Sequence, residues 1–314
     1  MSRPLAFALA LAVTAACLWY FLTPEVMEAL GRALREARLL PIAAAFVLVG
    51  LVQWLRAWRF AVMTTERLSL PDWLLVRIAL RLNFLNFILP FRLGELSYPV
   101  LMRYHYGHGL FQSAGILLLA RIFDLATVLS ILFGAAAVLR LWDGSIGALV
   151  GVGSVVFALA PFAILLIGGQ LSALLRRLPK IGAIAEKLST GLVAVANPQI
   201  GIASVVLSFV LWMTYGFAAF LVAVSVAPSV SAATALLGAS AGNIAFALPV
   251  NGIAGIGPAQ AAWVAATVRA GLAWDDAVVS ALALHGVVLM NAIVLGTLGW
   301  LPDLARKSAA RMEE

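Results

Sequence analysis

The sequence predicts an all-α, polytopic integral membrane helical bundle. Hydrophobic residues make up 63% of the 314 positions, charged residues make up 11%, and the mean hydropathy is +1.04. Soluble domains carry about 25% charged residues, so this chain has too few charges to cover a water-facing surface. Its apolar residues fall into segments close to the length of about 20 residues that crosses a bilayer as a helix. We therefore expect one integral membrane domain over residues 1–302 and a charged tail over residues 303–314.

Nine apolar segments follow one another along the chain, separated by polar breaks. The first is interpreted as an uncleaved helix rather than a signal peptide, because the apolar run continues past Cys17. Residues 23–38 and 171–197 mix charged and apolar side chains, which predicts two helices lying at the membrane surface. The apolar segments are 5–22, 39–55, 73–90, 110–139, 146–166, 200–226, 232–249, 253–270 and 277–301.

The distribution of basic residues predicts an orientation. Loops 56–81, 176–187 and 306–311 are basic, and such loops favour the cytoplasmic side of a membrane. They share one side only if segments 73–103 and 232–270 each enter and leave by the same face. Both termini then lie in the cytoplasm. Arginines 32, 35 and 38 fall outside in this arrangement, which counts against it.

Those two segments resemble each other and are predicted to be re-entrant hairpins. Residues 87–90 and 246–249 both read Phe-x-Leu-Pro, each after an asparagine (Asn86, Asn243) and before a glycine-containing stretch. One hairpin enters from each side, so the pattern favours an inverted repeat, which is typical of transporters. Two alternatives stay open: the match arises by chance, or residues 251–258 form a plain loop between two spanning helices.

Two ionisable residues, Arg121 and Asp124, lie deep within segment 110–139. Charged side chains at such a depth are costly and commonly functional. At a spacing of three residues they share one helix face and can neutralise each other. One interpretation is that Arg121 binds a phosphate while Asp124 orients it. The other is a structural ion pair that braces the bundle.

A second group of polar residues surrounds the first hairpin: Arg81, Asn86, Arg92 and Glu95. A lipid phosphate needs a few arginine or backbone N–H donors in a dry pocket, and this group is able to supply them. The arginines at 77 and 103 are interpreted instead as side chains that extend to the interface. The same interpretation applies to the arginines at 56 and 59, which flank a tryptophan at a predicted helix end.

The remaining titratable residues give no metal or cofactor site. Three scattered histidines and a single cysteine do not form a metal-ligand set, so no cofactor is expected. His285 lies inside the last apolar segment, where a lone histidine is more typical of bundle packing than of a proton relay. We nevertheless include it among the candidate binding residues.

The order of these motifs resembles the flippase-like membrane domain of lysylphosphatidylglycerol synthases and the stand-alone proteins that share it. The resemblance covers nearly the whole chain. One departure is Gln260, where the family often has a glutamate. The matching residues are Arg56-x-x-Arg59, Asn86, Leu89-Pro90, Arg92, Gly94-Glu95, Arg103, Arg121-x-x-Asp124, Pro249 and the glycines at 252, 255 and 257.

The resemblance implies a lipid transporter or flippase that translocates an anionic, isoprenoid or hopanoid-type lipid across the bacterial inner membrane. Its partner would be a membrane lipid with an anionic or polar headgroup, without nucleic acid, and its oligomeric state is left open. Asn243, Asn251 and Gln260 would contact the lipid from the second hairpin. The synthase half of the larger enzymes is absent from this sequence, so no lysyl transfer is implied and no enzymatic activity is expected.

Two alternative functions remain. The protein is either a membrane scaffold or accessory protein for lipid biosynthesis, or an enzyme that acts on lipid phosphates. The second is disfavoured because the sequence has no aspartate cluster, Ser-His pairing or paired-histidine phosphatase signature.

Overall fold

The computed structural model describes residues 3–89, 94–175, 192–193, 195–247 and 252–312. Within these ranges the chain is helical and contains no β-strand, as the sequence predicts. A short 3-10 turn at Ile253–Gly255 precedes the tenth helix. The helices are α1 (Arg3–Phe21), α2 (Pro24–Glu36), α3 (Leu39–Thr65), α4 (Trp73–Ile88), α5 (Ser97–Tyr106), α6 (Leu110–Val138), α7 (Gly144–Leu175), α8 (Pro198–Val226), α9 (Ala232–Ala247), α10 (Pro258–Arg269) and α11 (Trp274–Met312).

Polar residues at the helix ends explain several of these boundaries. Thr23, Asp72 and Asn197 precede α2, α4 and α8, and each side-chain oxygen accepts a hydrogen bond from a backbone N–H of the first turn. Such caps satisfy donors that a helix start otherwise leaves unpaired. At the other end of α5, Gly107 adopts a left-handed conformation with φ of +71°, which glycine reaches without a steric penalty.

Five helices in the described ranges are long and apolar enough to cross a membrane. The protein is therefore a multi-pass membrane protein by length and composition. The surface helix predicted over residues 23–38 is present as α2, which buries Val26 and leaves most of its charged side chains exposed. The second surface segment lies largely outside the described residues. The candidate spans are Leu39–Thr65, Leu110–Val138, Gly144–Gly168, Pro198–Val226 and Trp274–Leu301.

The helices pack in a reciprocal pattern. The unit α3–α6 and the unit α8–α11 meet along α3 and α8, which form the most extensive helix pair. α4 packs against α11 of the other unit, and its counterpart α9 packs against α6. Likewise, α5 contacts α6 as α10 contacts α11. Two units related by a two-fold axis give this pattern, so the packing supports the internal repeat.

The first predicted hairpin consists of α4 and α5, and its open end is closed by a hydrogen bond. The Tyr106 hydroxyl at the end of α5 donates to Asp72 Oδ1 at 2.5 Å, and the same oxygen caps α4. Burial and then this carboxylate raise the pKa of Tyr106, so the phenol stays protonated and keeps donating. The two ends of the hairpin therefore lie side by side.

The second hairpin, α9 and α10, opens at the opposite end of α6. Leu236 near its start and Ala270 near its end cluster with Leu139, just past the last residue of α6. The first hairpin ends immediately before α6 begins, and the 29 residues of α6 span about 44 Å. Between the two open ends, the rings of Phe87 and Phe246 approach to 5.5 Å.

The matching Phe-x-Leu-Pro motifs thus bring the inner ends of two opposed hairpins together. Pro90 of the first motif and Leu248 and Pro249 of the second lie outside the described residues. Entry and exit of each hairpin through one face of a bilayer stays a prediction.

Two arginines that belong to the first hairpin have structural partners. The guanidinium groups of Arg77 and Arg81 both donate to the carbonyl of Gly299 in α11, at 2.8–3.0 Å. Arg81 also lies over the ring of Trp300 at 4.3 Å. Arg77 is buried, so its predicted extension to the interface is wrong, whereas Arg103 is exposed.

The boundary predicted at residue 302 does not coincide with a helix end. α11 continues through Met312 and carries Pro302 within it. Residues 303–312 of the predicted tail are therefore helical, and their exposure to water stays a prediction.

Candidate functional site

A buried ion cluster joins three helices around Asp124 of α6. Arg59 of α3 donates from Nη1 to Oδ1 at 2.6 Å and from Nη2 to Oδ2 at 3.1 Å. Trp212 of α8 donates to Oδ1 at 2.8 Å, and Arg121 donates to Oδ2 at 3.1 Å. Ser208 of α8 accepts from Arg59 at 2.7 Å. Both carboxylate oxygens are saturated, so Asp124 is a structural anchor for α3, α6 and α8.

This cluster corrects the interpretation of Arg59. The sequence suggested an arginine extending to the interface, whereas the residue has no exposed surface. The partner predicted for Asp124 was Arg121 alone, but the bidentate contact comes from Arg59. The sequence signal for a role of Arg59 inside the bundle was the Arg-x-x-Arg spacing. This spacing puts the guanidinium groups at 56 and 59 one turn apart on α3.

Arg121 is shared between the anchor and the first hairpin. Its Nη2 lies 3.2 Å from Glu95 Oε1, in the turn that precedes α5, and its Nη1 lies on Asp124. About a fifth of each side chain in the Arg121–Glu95 pair is exposed, so this ion pair is more accessible than the Arg59–Asp124 pair. The buried Nε of Arg121 has no hydrogen-bond partner within the described ranges.

A cavity of about 120 Å³ lies where the two hairpins meet and reaches Arg121. Its wall comes from α3, α4, α6 and from α8–α11, so both repeat units contribute. The lining combines apolar surface with two guanidinium groups, five side-chain amides and one imidazole. The polar and aromatic lining residues are Gln53, Arg56, Asn83, Asn86, Phe87, Arg121, Trp212, Tyr215, Asn243, Phe246, Gln260, Trp263 and His285.

The two repeat units contribute equivalent positions but different chemistry. Arg121 and His285 occupy the same position counted from the first residues of α6 and α11. The first unit supplies both guanidinium groups, and the second supplies tryptophan, tyrosine and imidazole. In four further pairs of lining residues, the two members are separated by the same number of residues along the chain, as expected for equivalent positions of a repeat. These pairs are Gln53 and Trp212, Arg56 and Tyr215, Asn83 and Gly242, and Phe87 and Phe246.

The cavity unites half of the candidate residues predicted from the sequence: Asn86, Arg121, Asn243, Gln260 and His285. Glu95 and Asp124 lie immediately behind Arg121 and contact it without lining the cavity.

Three candidates remain, and the structure places one of them. Arg81 is held against α11 and does not line the cavity, so the structure gives it a structural contact instead of a place in this site. Arg92 and Asn251 lie outside the described residues.

Two lining residues each carry a buried polar atom without a hydrogen-bond partner. The Oδ1 atom of Asn86 and the Nε2 atom of His285 are buried and have no hydrogen-bond partner within the described chain. Gln260 uses its Oε1 to accept the backbone N–H of Gly257 at 2.7 Å, which caps α10 and leaves the amide nitrogen for other contacts. Unpaired polar groups in a buried site cost free energy, which a polar ligand or water recovers.

Sequence reasoning missed the lining residues of α3 and α8. Gln53 and Arg56 of α3 and Trp212 and Tyr215 of α8 lie within long apolar segments. Their helical spacing was visible, but only the packing of α3 against α8 shows which face of each helix points inward. Among the described residues, no group of three or more His, Cys, Asp or Glu side chains is placed to hold a metal ion.

Comparison with protein families identifies the family of this chain. The model of the lysylphosphatidylglycerol synthase TM region aligns with residues 7–296. The chain belongs to the lysylphosphatidylglycerol synthase TM region family. The match extends from α1 into α11 and includes every residue that lines the cavity, and it agrees with the resemblance found from the motifs. It indicates a membrane-lipid-related function. Searches of curated proteins and of solved structures gave no match.

Proposed function

We propose that the protein is a lipid transporter or flippase that moves a lipid with an anionic headgroup across the membrane through the cavity between its two hairpins. The observation that carries the proposal is the pair of guanidinium groups of Arg56 and Arg121 facing one cavity inside an apolar bundle. Guanidinium groups form strong, directional hydrogen bonds to phosphate oxygens. A charged side chain at this depth is costly, so its presence favours a role on a substrate path.

The position of the cavity suits transport. It lies between the inner ends of two hairpins that open at opposite ends of the bundle, near the contact of Phe87 and Phe246. In transporters built from inverted repeats, the substrate binds near the midplane at the repeat interface, and one unit moves against the other. A headgroup held here would lie inside the bundle between the two open ends, while its acyl chains remain in lipid.

We also propose that the protein lies in a bacterial inner membrane with both termini in the cytoplasm and that it catalyses no covalent reaction. The orientation rests on the basic stretches 56–81 and 306–311 of the sequence, which the structure places in α3, the turn after it, α4 and α11. The proposal that it catalyses no covalent reaction is supported by Asp124, whose carboxylate accepts hydrogen bonds from three side chains. This leaves no free carboxylate at the cavity among the described residues. The hopanoid-type lipid named by the resemblance is one candidate cargo.

Lipid movement in reconstituted vesicles tests this function. Purified protein is incorporated into vesicles that carry a fluorescent anionic phospholipid, and a membrane-impermeant quencher reports the fraction of label in the outer leaflet over time. We expect faster exchange of label than in protein-free vesicles, and a loss of that gain in Arg121→Ala. The matched control is Arg32→Ala, which removes an exposed arginine from the surface helix α2.

The results distinguish the alternatives. Exchange equal to protein-free vesicles for anionic, isoprenoid and hopanoid lipids would overturn the transport proposal. Chemical conversion of the labelled lipid, detected by chromatography of the same vesicles, would instead identify an enzyme. Normal lipid movement in Arg121→Ala would show that the cavity is not the path.

A further inference from the structure

We propose that the first helix, α1, holds the inner turn of the second hairpin, residues 252–257, and keeps this hairpin fixed while lipid moves through the cavity. This inference rests on the proposed function, since it assigns a stationary part to the same transport site. The helix α1 precedes both repeat units, and its most extensive contact within the described chain is with the 3-10 turn at Ile253–Gly255. An element outside the repeat therefore contacts the inner end of the second hairpin.

One face of α1 meets the inner turn. A methyl group in place of a hydrogen on Gly257 would lie 3.0 Å from Val13 Cγ1 and 3.7 Å from Cys17 Sγ. At Gly252, the same methyl group would overlap the hydroxyl of Thr14. Positions 13 and 17 are one helical turn apart, and position 14 lies beside them, so three side chains of one face close over two glycines. The missing side chains let α1 approach the backbone of the turn.

The last residues of α1 are anchored to the same repeat unit. The buried ring of Phe21 lies 6.2 Å from the ring of Trp274, the first residue of α11, and the Tyr20 ring lies 5.7 Å from it. Phe21 also belongs to a buried cluster with Ala277 and Val278 of α11. The second arm of the hairpin, α10, packs against α11 as well. The helix α1 thus joins the inner turn to the helix that supports this hairpin.

The backbone of the inner turn has a conformation that requires support. Ala254 has a φ of +55°, which costs free energy in a residue with a side chain, and Gly255 and Gly257 have φ values of +77° and +139°. Such a backbone persists only where the surrounding contacts determine it. A methyl group on Gly255 would lie 3.0 Å from Phe246 Cε2 and 3.4 Å from Phe87 Cδ1. The inner ends of the two hairpins therefore supply one support, and α1 supplies another.

The two arms of the second hairpin pack closely on each other. A methyl group on Gly238 of α9 would lie 2.9 Å from the ring of Trp263, and one on Gly242 would lie 3.1 Å from the carbonyl oxygen of Ala259. Small residues four positions apart let helices in a membrane approach to backbone contact. The Trp263 indole also donates to Ser280 of α11 at 3.1 Å. These contacts make α9, α10 and α11 one packed group, which α1 extends to the inner turn.

The contacts of the second hairpin differ in kind from the contact that the first hairpin makes beside the cavity. At the open end of the second hairpin, Arg269 Nη2 donates to the carbonyl of Leu141 at 2.7 Å. The first hairpin contacts α6 through the partly exposed ion pair of Glu95 and Arg121. An anionic ligand competes for an arginine that lines the cavity, whereas apolar packing and bonds to backbone carbonyls do not respond to its charge. Occupancy of the cavity should therefore leave the second hairpin in place.

Substitutions on α1 test its contact with the inner turn. Thr14→Phe adds a ring where α1 meets the turn, and its matched control is Ala16→Phe, which adds the same ring at an exposed position of α1. Val13→Ala removes methyl groups from the contact and is the milder change. Its matched control is Leu11→Ala, because Leu11 is exposed on the same helix.

Hydrogen–deuterium exchange of the full chain in micelles, read by mass spectrometry, measures the stability of the inner turn. The informative peptides cover residues 252–261, where the amide of Gly252 donates to the carbonyl of Ile256 at 3.0 Å. We expect Thr14→Phe and Val13→Ala to speed exchange there by at least about threefold, because local opening becomes easier when a support is lost. Both control variants should exchange like the original chain.

Addition of phosphatidylglycerol to the original chain tests whether the second hairpin is stationary. We expect exchange over residues 252–261 to change by less than about twofold. We expect exchange over residues 94–106 to rise by more than that, because the phosphate competes with Glu95 for Arg121.

Two results would overturn the inference. One is unchanged exchange over residues 252–261 in the variants of the contact face that circular dichroism shows to be folded. If Thr14→Phe fails to fold, Val13→Ala decides this point, and the comparison with added lipid needs no variant. The other is a lipid-induced rise in exchange over residues 252–261 that equals the rise over residues 94–106.

The vesicle assay keeps the inference apart from the proposed function. Faster exchange of the inner turn in both contact-face variants, without lipid movement by the original chain, would overturn transport and leave the hold of α1 on the turn in place. Lipid movement by the original chain, with no effect of these variants on exchange, would overturn the role of α1 and leave transport intact.

Discussion

The buried pair of Arg59 and Asp124 should be strongly coupled in stability. The perturbation is a double-mutant cycle with Arg59→Met, Asp124→Leu and the combined variant. Each single substitution leaves one buried charge without its main partner, whereas the combined variant replaces the pair by apolar side chains. The two residues retain at most 5% of their surface exposed, so neither charge can be rescued by water without opening the bundle.

The contacts set the expected magnitudes. Removing one member of a buried ion pair costs about 3–5 kcal/mol of unfolding free energy. Replacing both members by apolar residues is often close to neutral. Here the Trp212 indole also loses its partner, which adds about 1 kcal/mol, whereas the Ser208 hydroxyl still donates to the carbonyl of Ser204. The combined variant should therefore be more stable than either single variant, with a coupling free energy of at least about 3 kcal/mol.

Unfolding in mixed micelles, followed by circular dichroism as the fraction of dodecyl sulfate rises, measures these differences. The exposed pair Arg32 and Glu28 provides the control cycle, because its atoms lie 3.9 Å apart on the surface of α2 and should couple by less than about 1 kcal/mol. Additive effects of Arg59→Met and Asp124→Leu would refute the reasoning, since two independent sites would then replace one anchor. A combined variant less stable than both single variants would refute it as well.

Three further predictions address the hairpins. Gly94→Ala should lower the unfolding free energy by about 1–3 kcal/mol in the same unfolding assay, because a Cβ there would overlap the backbone of α4, and unchanged stability would contradict this packing. Glu95→Gln should tighten binding of an anionic lipid by roughly twofold to fivefold in a fluorescence titration, because it removes a competitor for the Arg121 guanidinium; weaker binding would make Glu95 a ligand contact instead. In a cysteine-free background, a bifunctional thiol reagent should cross-link the variant Phe87→Cys/Phe246→Cys and slow lipid movement. Cross-linking with an unchanged rate of lipid movement would show that these hairpin ends do not separate during transport.

The sequence predicted most of the helices because the apolar segments are long and clearly separated. α3, α6, α8 and α11 match predicted apolar segments, and even the short surface helix α2 was indicated by the spacing of its charges. The repeat was indicated by the motifs around Phe87 and Phe246, which the structure brings into contact. These features depend on local composition and on short motifs, which a single sequence contains.

The partners of the arginines could not be predicted in the same way. Arg59 and Arg77 lie near predicted helix ends, where an arginine commonly reaches the interface. Their burial depends on α8 and on the carbonyl of Gly299, which lie far away in the chain. Arg121 was recognised because it stands alone in the middle of an apolar segment, where no interface is near. Its position inside an apolar segment therefore identified the arginine of α6 that lines the cavity, whereas only tertiary packing distinguished the other arginines.

One face of α6 carries both the anchor residue Asp124 and the cavity residue Arg121, and the proposed transport would use the two differently. Asp124 is locked to α3 and α8, so the contact between the two repeat units persists whatever occupies the cavity. Arg121, one turn earlier, holds the first hairpin through the more exposed Glu95. A phosphate that binds Arg121 competes with Glu95 and not with Asp124, because Asp124 retains Arg59 when Arg121 turns away. Binding of the headgroup would thus weaken the hold of α6 on the hairpin while the core stays fixed, which couples occupancy of the cavity to movement of the hairpin.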